Sequence, residues 1–197
     1  DYTLITADAP VATRTHGGRA KCLQRLVRLD LPVPRTIALS FNGVHRLAAG
    51  EIRDVSPLLE EFDEARLLCV RPSSEDPDWG GPGAILNIGM NDARHSALSR
   101  THGKAAADAL YLRFIQAYAV QVAHLDPEPF MLVDGASVKG FLAAYEEETD
   151  EPFPQEPERQ LADVLRSMAR AWEGTSARLL RQAKGAPADA GLGLVVQ

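Results

Sequence analysis

Disulfide scaffolding, membrane spans and strong positive charge are all missing from this chain. Its only two cysteines, Cys22 and Cys69, lie far apart and neither belongs to a C-x-x-C pair. Both sit inside apolar patterns, so they read as reduced core thiols of a cytoplasmic protein. No apolar run approaches the length of a membrane span, and the N-terminus lacks a basic-then-apolar signal segment, so a soluble, intracellular chain is expected. Lys and Arg number 21 against 27 Asp and Glu, a formal charge of -6. That balance argues against nucleic acid as a partner, although a local basic patch can still hold a phosphorylated small molecule. The motifs G-x-x-x-x-G-K-[ST], G-x-S-x-G and H-E-x-x-H are absent, and the five histidines have no metal-ligand spacing. No residue is therefore assigned as catalytic or as a metal ligand. With 197 residues, 45% of them hydrophobic, the chain can bury a real core as one domain or two small ones. Residue 1 is Asp and residues 192–197 form an apolar, strand-like run, from which a fragment of a longer protein is expected.

The most informative stretch covers residues 66–92. Leu67-Leu68-Cys69-Val70 is short, apolar and bounded by charge, as a buried strand would be. Residues 84–88 form a second apolar run, and Gly80, Gly81, Pro82 and Gly83 between the two are turn formers. The segment predicts strand, mobile loop, strand. Arg71, at the exit of the first strand, carries a permanent charge on a planar fork of donors that matches phosphate oxygens, so it is the best single candidate for an anion contact. Taken alone, the segment also fits a β-hairpin with a long surface loop that binds nothing.

Along the chain, residues 2–5 predict a strand and residues 7–15 a turn-rich connection. Gly17-Gly18 opens a helix with Cys22, Leu23, Leu26, Val27 and Leu29 on one face and Arg19, Lys21, Arg25 and Arg28 largely off it. A Gly-Gly turn at a helix start presents backbone N–H groups and the positive end of the dipole, which suits a phosphate; a solvated basic face is the other reading. His16 reads as a loop residue. Residues 36–39 predict a strand, Ser40 caps a helix ended by Gly50, and Ser56-Pro57 starts another helix running to about residue 65. After Asp92 helical periodicity takes over, with helices predicted over residues 104–123 and 138–145. Glu146, Glu147 and Glu148 read as a solvated face, and Pro152, Pro154 and Pro157 as a boundary. A last helix over residues 158–184 is expected to bury Leu161, Val164, Leu165, Met168, Trp172 and Leu179, with Gly185 as its stop. The layout is that of an α/β or α+β sandwich.

Four separated segments resemble the pyruvate phosphate dikinase and phosphoenolpyruvate synthase family. Gly17-Gly18-Arg19-Ala20-Lys21-Cys22-Leu23, followed by Asp30-Leu31-Pro32-Val33-Pro34, resembles the family's Gly-Gly-Lys-Gly-Ala-Asn-Leu and Gly-Leu-Pro-Val-Pro. Val70-Arg71-Pro72-Ser73-Ser74 and Leu86-Asn87-Ile88-Gly89-Met90-Asn91-Asp92 resemble its Val-Arg-Ser motif and the Leu-Asn-Leu-Gly-Leu-Asn-Asp-like strand end. Tyr111, Arg113, Phe114, Ile115, Gln116 and Tyr118 match a helix of the family's inserted subdomain, and residues 191–197 match its Gly-Thr-Ala-Val-x-Val-Gln strand. The resemblance implies an α+β fold: an ATP-grasp first lobe over residues 1–95 and 158–197 with a helical insert over residues 96–157. It further implies that ATP is held for phosphoryl transfer to a histidine on a downstream domain, with pyruvate or phosphoenolpyruvate domains as further partners. The phosphates would fall to Arg19, Arg71, Gly80, Gly81 and Gly83, and the Mg2+ ligands would lie downstream. Three positions depart from the family: Arg19 replaces a lysine, Ala20 a glycine and Glu75 an arginine, and Asp76 and Asp78 add negative charge. These changes motivate the alternative of a diverged, non-catalytic nucleotide-sensing or interaction module.

Overall fold

The apolar run near the C-terminus becomes the central strand of a sheet in the computed structural model, which describes residues 1–63 and 66–197. The elements in chain order are β1 (Tyr2–Leu4), α1 (Thr13–Arg28), β2 (Ile37–Leu39), α2 (Phe41–Ala48), α3 (Ser56–Leu59), β3 (Leu68–Ser74), β4 (Ile85–Ile88), α4 (Asp92–His102), α5 (Lys104–Ala117), α6 (Val138–Thr149), α7 (Pro157–Glu173), α8 (Thr175–Ala183) and β5 (Leu192–Val196). The five strands lie in the order β1-β2-β5-β3-β4, and β5 pairs antiparallel with β2 (Ile37 opposite Val196) and with β3 (Val70 opposite Val196). Every residue of β5 is buried. Its sequence runs apolar without alternation because helices cover it, α1 and α2 both packing against it. The fold is α+β, with helices added to an antiparallel sheet.

Gly193 admits α1 to this strand: a Cβ there would lie 2.5 Å from the His16 carbonyl oxygen, so only a residue without a side chain lets the helix come this close. Ala20 sits in the resulting core with Ile5, Val11, Ala38 and Val195, and Leu23 and Val27 pack against it. Ser40 caps α2 as expected, its Oγ accepting the Gly43 N–H at 3.1 Å.

Two compact units divide the chain. The first comprises residues 1–63, 70–84 and 165–197 and holds β1, β2, β5, α1 and α2. The second comprises residues 64–69 and 85–164. It is helical and aromatic, with Phe153 in edge contact with Tyr111, Phe114, Tyr118 and Tyr145. A fully buried amide organises its polar interior. Gln160 accepts the Gly89 N–H at 2.8 Å and donates to the carbonyls of Met90 (2.9 Å) and Pro154 (2.7 Å). No helix among the described residues is long and apolar enough to cross a membrane.

Several local expectations are corrected. α1 begins at Thr13 within the expected connection, and Gly17 kinks it rather than opening it. Gly17 holds φ 84° and ψ 169°, a region only glycine occupies readily, so two short helical pieces meet there. His16 thus lies in a helix, buried, not in a loop. Cys22 is exposed, while Ala20 and the fully buried Gln24 face the core. The helix expected to run from Ser56 to about residue 65 ends at Leu59, and residue 65 lies outside the described residues. The long C-terminal helix is interrupted at Gly174, which shifts the phase of α8 and leaves Leu179 61% exposed rather than buried.

Candidate functional site

One cavity of about 530 Å3 in the first unit is lined by Gly18, Arg19, Cys22, Leu23, Arg71, Pro72, Ser73, Ser74, Pro77, Gly80, Gly81 and Pro82. Residues 53 positions apart in sequence meet here because α1 rests on β3. The contact is made by backbone: a Cβ on Gly17 would overlap the Ser73 carbonyl oxygen at 1.8 Å, and one on Gly18 would lie 3.3 Å from the Glu75 carbonyl oxygen. Arg19 donates from Nε to the Pro72 carbonyl at 2.8 Å, which fixes its guanidinium beside the strand carrying Arg71. Arg71 is opposite Val195 in the β3–β5 ladder, so it stands within a seven-residue strand rather than at its exit. Both arginines are half-buried, which strengthens their pull on an anion relative to a fully solvated charge.

Ser73 ties the two walls together. Its Oγ donates to the His16 carbonyl at 2.7 Å and accepts the Ala20 N–H at 3.1 Å, and the side chain is buried. The glycine loop forms the far wall. Gly81, at φ 145°, lies over Trp172, whose ring would be 3.4 Å from a Cβ at that position. Trp172 is itself fixed: its indole N–H donates to the Ala190 carbonyl at 2.9 Å, and the Arg181 guanidinium sits 3.7 Å from its ring centre. Residues Pro77–Trp79 form a single helical turn that shortens the loop, capped by Asp76, whose Oδ1 accepts the Asp78 N–H at 2.8 Å.

Of the five residues expected to meet phosphates, Arg19, Arg71, Gly80 and Gly81 line this one cavity, whereas Gly83 is exposed and outside the lining. Glu75, Asp76 and Asp78 are not among the lining residues. The walls are mixed. Two guanidiniums and the start of the helical piece after Gly17 offer positive charge, while Leu23, Pro77 and Pro82 offer apolar surface. Such an arrangement can hold a ligand with an anionic end and a flat or apolar end.

No protein-family model matches the chain. The chain is similar to pyruvate, phosphate dikinases. It is 25% identical to the enzyme of that name from Clostridium symbiosum over 222 residues, which cover 92% of this chain and 25% of the relative. It is 32% identical to the one from Rhizobium meliloti (strain 1021) over 221 residues, 92% of this chain and 24% of the relative. The Entamoeba histolytica protein of the same name is 24% identical over 200 residues, 82% of this chain and 23% of that one. These similarities support the pyruvate, phosphate dikinase family, and the chain spans about a quarter of the length of these relatives.

Three features in or beside the cavity escaped sequence reading. Ser73 stood in the sequence only as part of the Val-Arg-Ser-like segment, and its buried role follows from α1 crossing β3. Trp172 was expected in the core by helical spacing, but nothing local tied it to the glycine loop. Lys184, at the end of α8, brings its ammonium to 3.6 Å from a Cβ built on Gly80. His16 is held neutral more readily than an ordinary histidine, chiefly because burial disfavours its charged form. Its ring meets Thr15 Oγ1 at 2.8 Å, and it is not among the residues lining the cavity.

Proposed function

We propose that this chain is the ATP-holding part of a pyruvate phosphate dikinase-like phosphotransferase, built as the first lobe of an ATP-grasp fold with a helical insert. The triphosphate lies against Arg19 and Arg71, with the backbone of Gly18, Gly80 and Gly81 lining its path, and the base meets the apolar wall of Leu23, Pro77 and Pro82. The single observation that carries this reading is the convergence of Arg19 and Arg71 on one cavity of about 530 Å3, within the roughly 300–1,000 Å3 typical of small-molecule sites. Two guanidiniums at one anion supply the charge-assisted, fork-shaped contacts that phosphate oxygens favour.

Among the described residues no group of three or more His, Cys, Asp or Glu could hold a metal ion. In this reading the chain grips and aligns the nucleotide. The metal ligands and the accepting histidine belong, in this reading, to other segments of the intact protein. One observation favours the second reading, a nucleotide-sensing module without catalysis: the Ala20 N–H, at the helix start where the family has a glycine, is taken up by Ser73 inside the protein.

Calorimetric titration of the chain with ATP, with and without Mg2+, tests the binding claim, using Arg71→Ala as the comparison. Binding by the unsubstituted chain that weakens in the variant supports the claim. Equal affinities remove Arg71 from the site, and no binding at all removes the reading. Phosphohistidine formation in the intact protein separates the enzyme from the module.

A further inference from the structure

We infer that Ser73 is a positioning residue for the anion cavity, acting as a helix cap delivered from the neighbouring strand; this rests on the ATP reading above. At Gly17 the helix is interrupted, so the piece that follows starts afresh at Gly18 and needs an acceptor for the N–H groups of its first turn. The residue that would normally supply a capping side chain is Gly17, which has none. Ser73 on β3 supplies it instead: its Oγ accepts the Ala20 N–H at 3.1 Å, the bond that a serine or aspartate at position 17 would make, and donates to the His16 carbonyl at 2.7 Å, which the kink has removed from the helical ladder. One hydroxyl thus serves an amide and a carbonyl on either side of the break.

The consequence for the cavity is geometric. Arg19 lies one residue before the capped amide and bonds through Nε to the carbonyl of Pro72, one residue before Ser73. Ser73 and Pro72 therefore grip the same helical turn at two adjacent points. Arg71, the next residue on the strand, is held in register with Arg19 by the same pair. Without the hydroxyl, the turn loses its bond at Ala20, and the guanidinium that the reading places on the phosphates is held less firmly against β3. A serine here thus sets the spacing between two cations instead of touching the ligand.

The test is ATP titration of Ser73→Ala, alone and combined with Arg19→Ala or Arg71→Ala, beside Ser40→Ala, which removes an ordinary cap from α2. Ser73→Ala is expected to weaken ATP binding about five- to tenfold, the scale of one lost cap. In the Arg19→Ala background it should weaken binding no further, whereas in the Arg71→Ala background the loss persists. Amide exchange of Ala20 should accelerate in Ser73→Ala and stay unchanged in Ser40→Ala. If Ser73→Ala binds ATP as the unsubstituted chain does, or weakens it equally in the Arg19→Ala background, the positioning role is wrong. Should the unsubstituted chain bind no ATP, the nucleotide reading falls, while Ala20 exchange still decides whether the cap exists. A Ser73→Ala chain that fails to fold is replaced by Ser73→Thr, which keeps the hydroxyl. Thr is expected to retain affinity and slow Ala20 exchange, and loss of both with a folded chain would overturn the proposal.

Discussion

Replacing Gly17 by alanine should be among the most damaging single-methyl changes available in the first unit. Two costs add. The backbone at φ 84° and ψ 169° lies in a region that a residue with a Cβ enters at about 1–3 kcal/mol. The new methyl would also lie 1.8 Å from the Ser73 carbonyl oxygen and 2.3 Å from its carbon. Those atoms belong to β3, whose ladder to β5 holds them, so no side-chain rotation relieves the overlap and the helix must lift from the sheet. A total of about 4 kcal/mol or more is expected, at the upper end of single-residue effects. Gly50→Ala is the control: Gly50 also has positive φ, at 77°, but nothing lies within 4 Å of its Cβ position, which leaves a conformational cost of about 1 kcal/mol. Both tryptophans belong to the first unit, so their fluorescence in a urea titration follows it. At a slope of about 2 kcal/mol/M the midpoint should fall by about 2 M for Gly17→Ala and about 0.5 M for Gly50→Ala. Equal shifts for the two would refute the close approach of α1 to β3 on which the cavity depends.

In the second unit, Gln160→Ala strips three hydrogen bonds from a fully buried amide and leaves the Gly89 N–H and the Met90 and Pro154 carbonyls without it. A loss of about 3 kcal/mol or more is expected by urea denaturation followed by circular dichroism, and a loss under about 1 would contradict the network. His16 makes the first unit acid-sensitive. Its pKa is lowered by burial, so the unfolded chain takes up a proton first as pH falls below the ordinary imidazole value of about 6.5. Stability is therefore whole above that value and declines beneath it until the folded imidazole also protonates. His16→Gln should flatten the decline, and an unchanged pH profile would show that another group is responsible. Cys22, exposed on the cavity wall, should react with a maleimide in the folded chain before Cys69 does, and ATP should slow it. Labelling of Cys22 at an ATP-independent rate would place the nucleotide elsewhere.

Much of the fold was legible because the signals were local. Ser40 before a helix, Gly50 after it, and the unbroken apolar run into β5 each declare themselves within a few residues. Arg71 and the glycine loop adjoin in sequence, so their meeting at one cavity was legible, whereas Arg19 joins them only through the fold. What stayed hidden depends on contacts between distant segments. The kink at Gly17 requires the strand beneath it, which sits 56 residues further on at Ser73. Leu179 was misplaced because a helical wheel carries its phase through a break that it does not register, and Gly174 resets it. The short turn at Pro77–Trp79, capped by Asp76, was hidden in a loop read only by its charge.

The central claim is that Arg19 and Arg71 serve one anion, and a double-mutant cycle on ATP affinity measures it. Each arginine bonded to phosphate should contribute about 1.5–3 kcal/mol, so Arg19→Ala and Arg71→Ala should each weaken binding about ten- to hundredfold. In the double variant the losses should depart from additivity by about 0.5 kcal/mol or more, as expected for two groups on one ligand. If either single variant binds ATP with unchanged affinity, the two guanidiniums do not share a ligand and the nucleotide assignment is wrong.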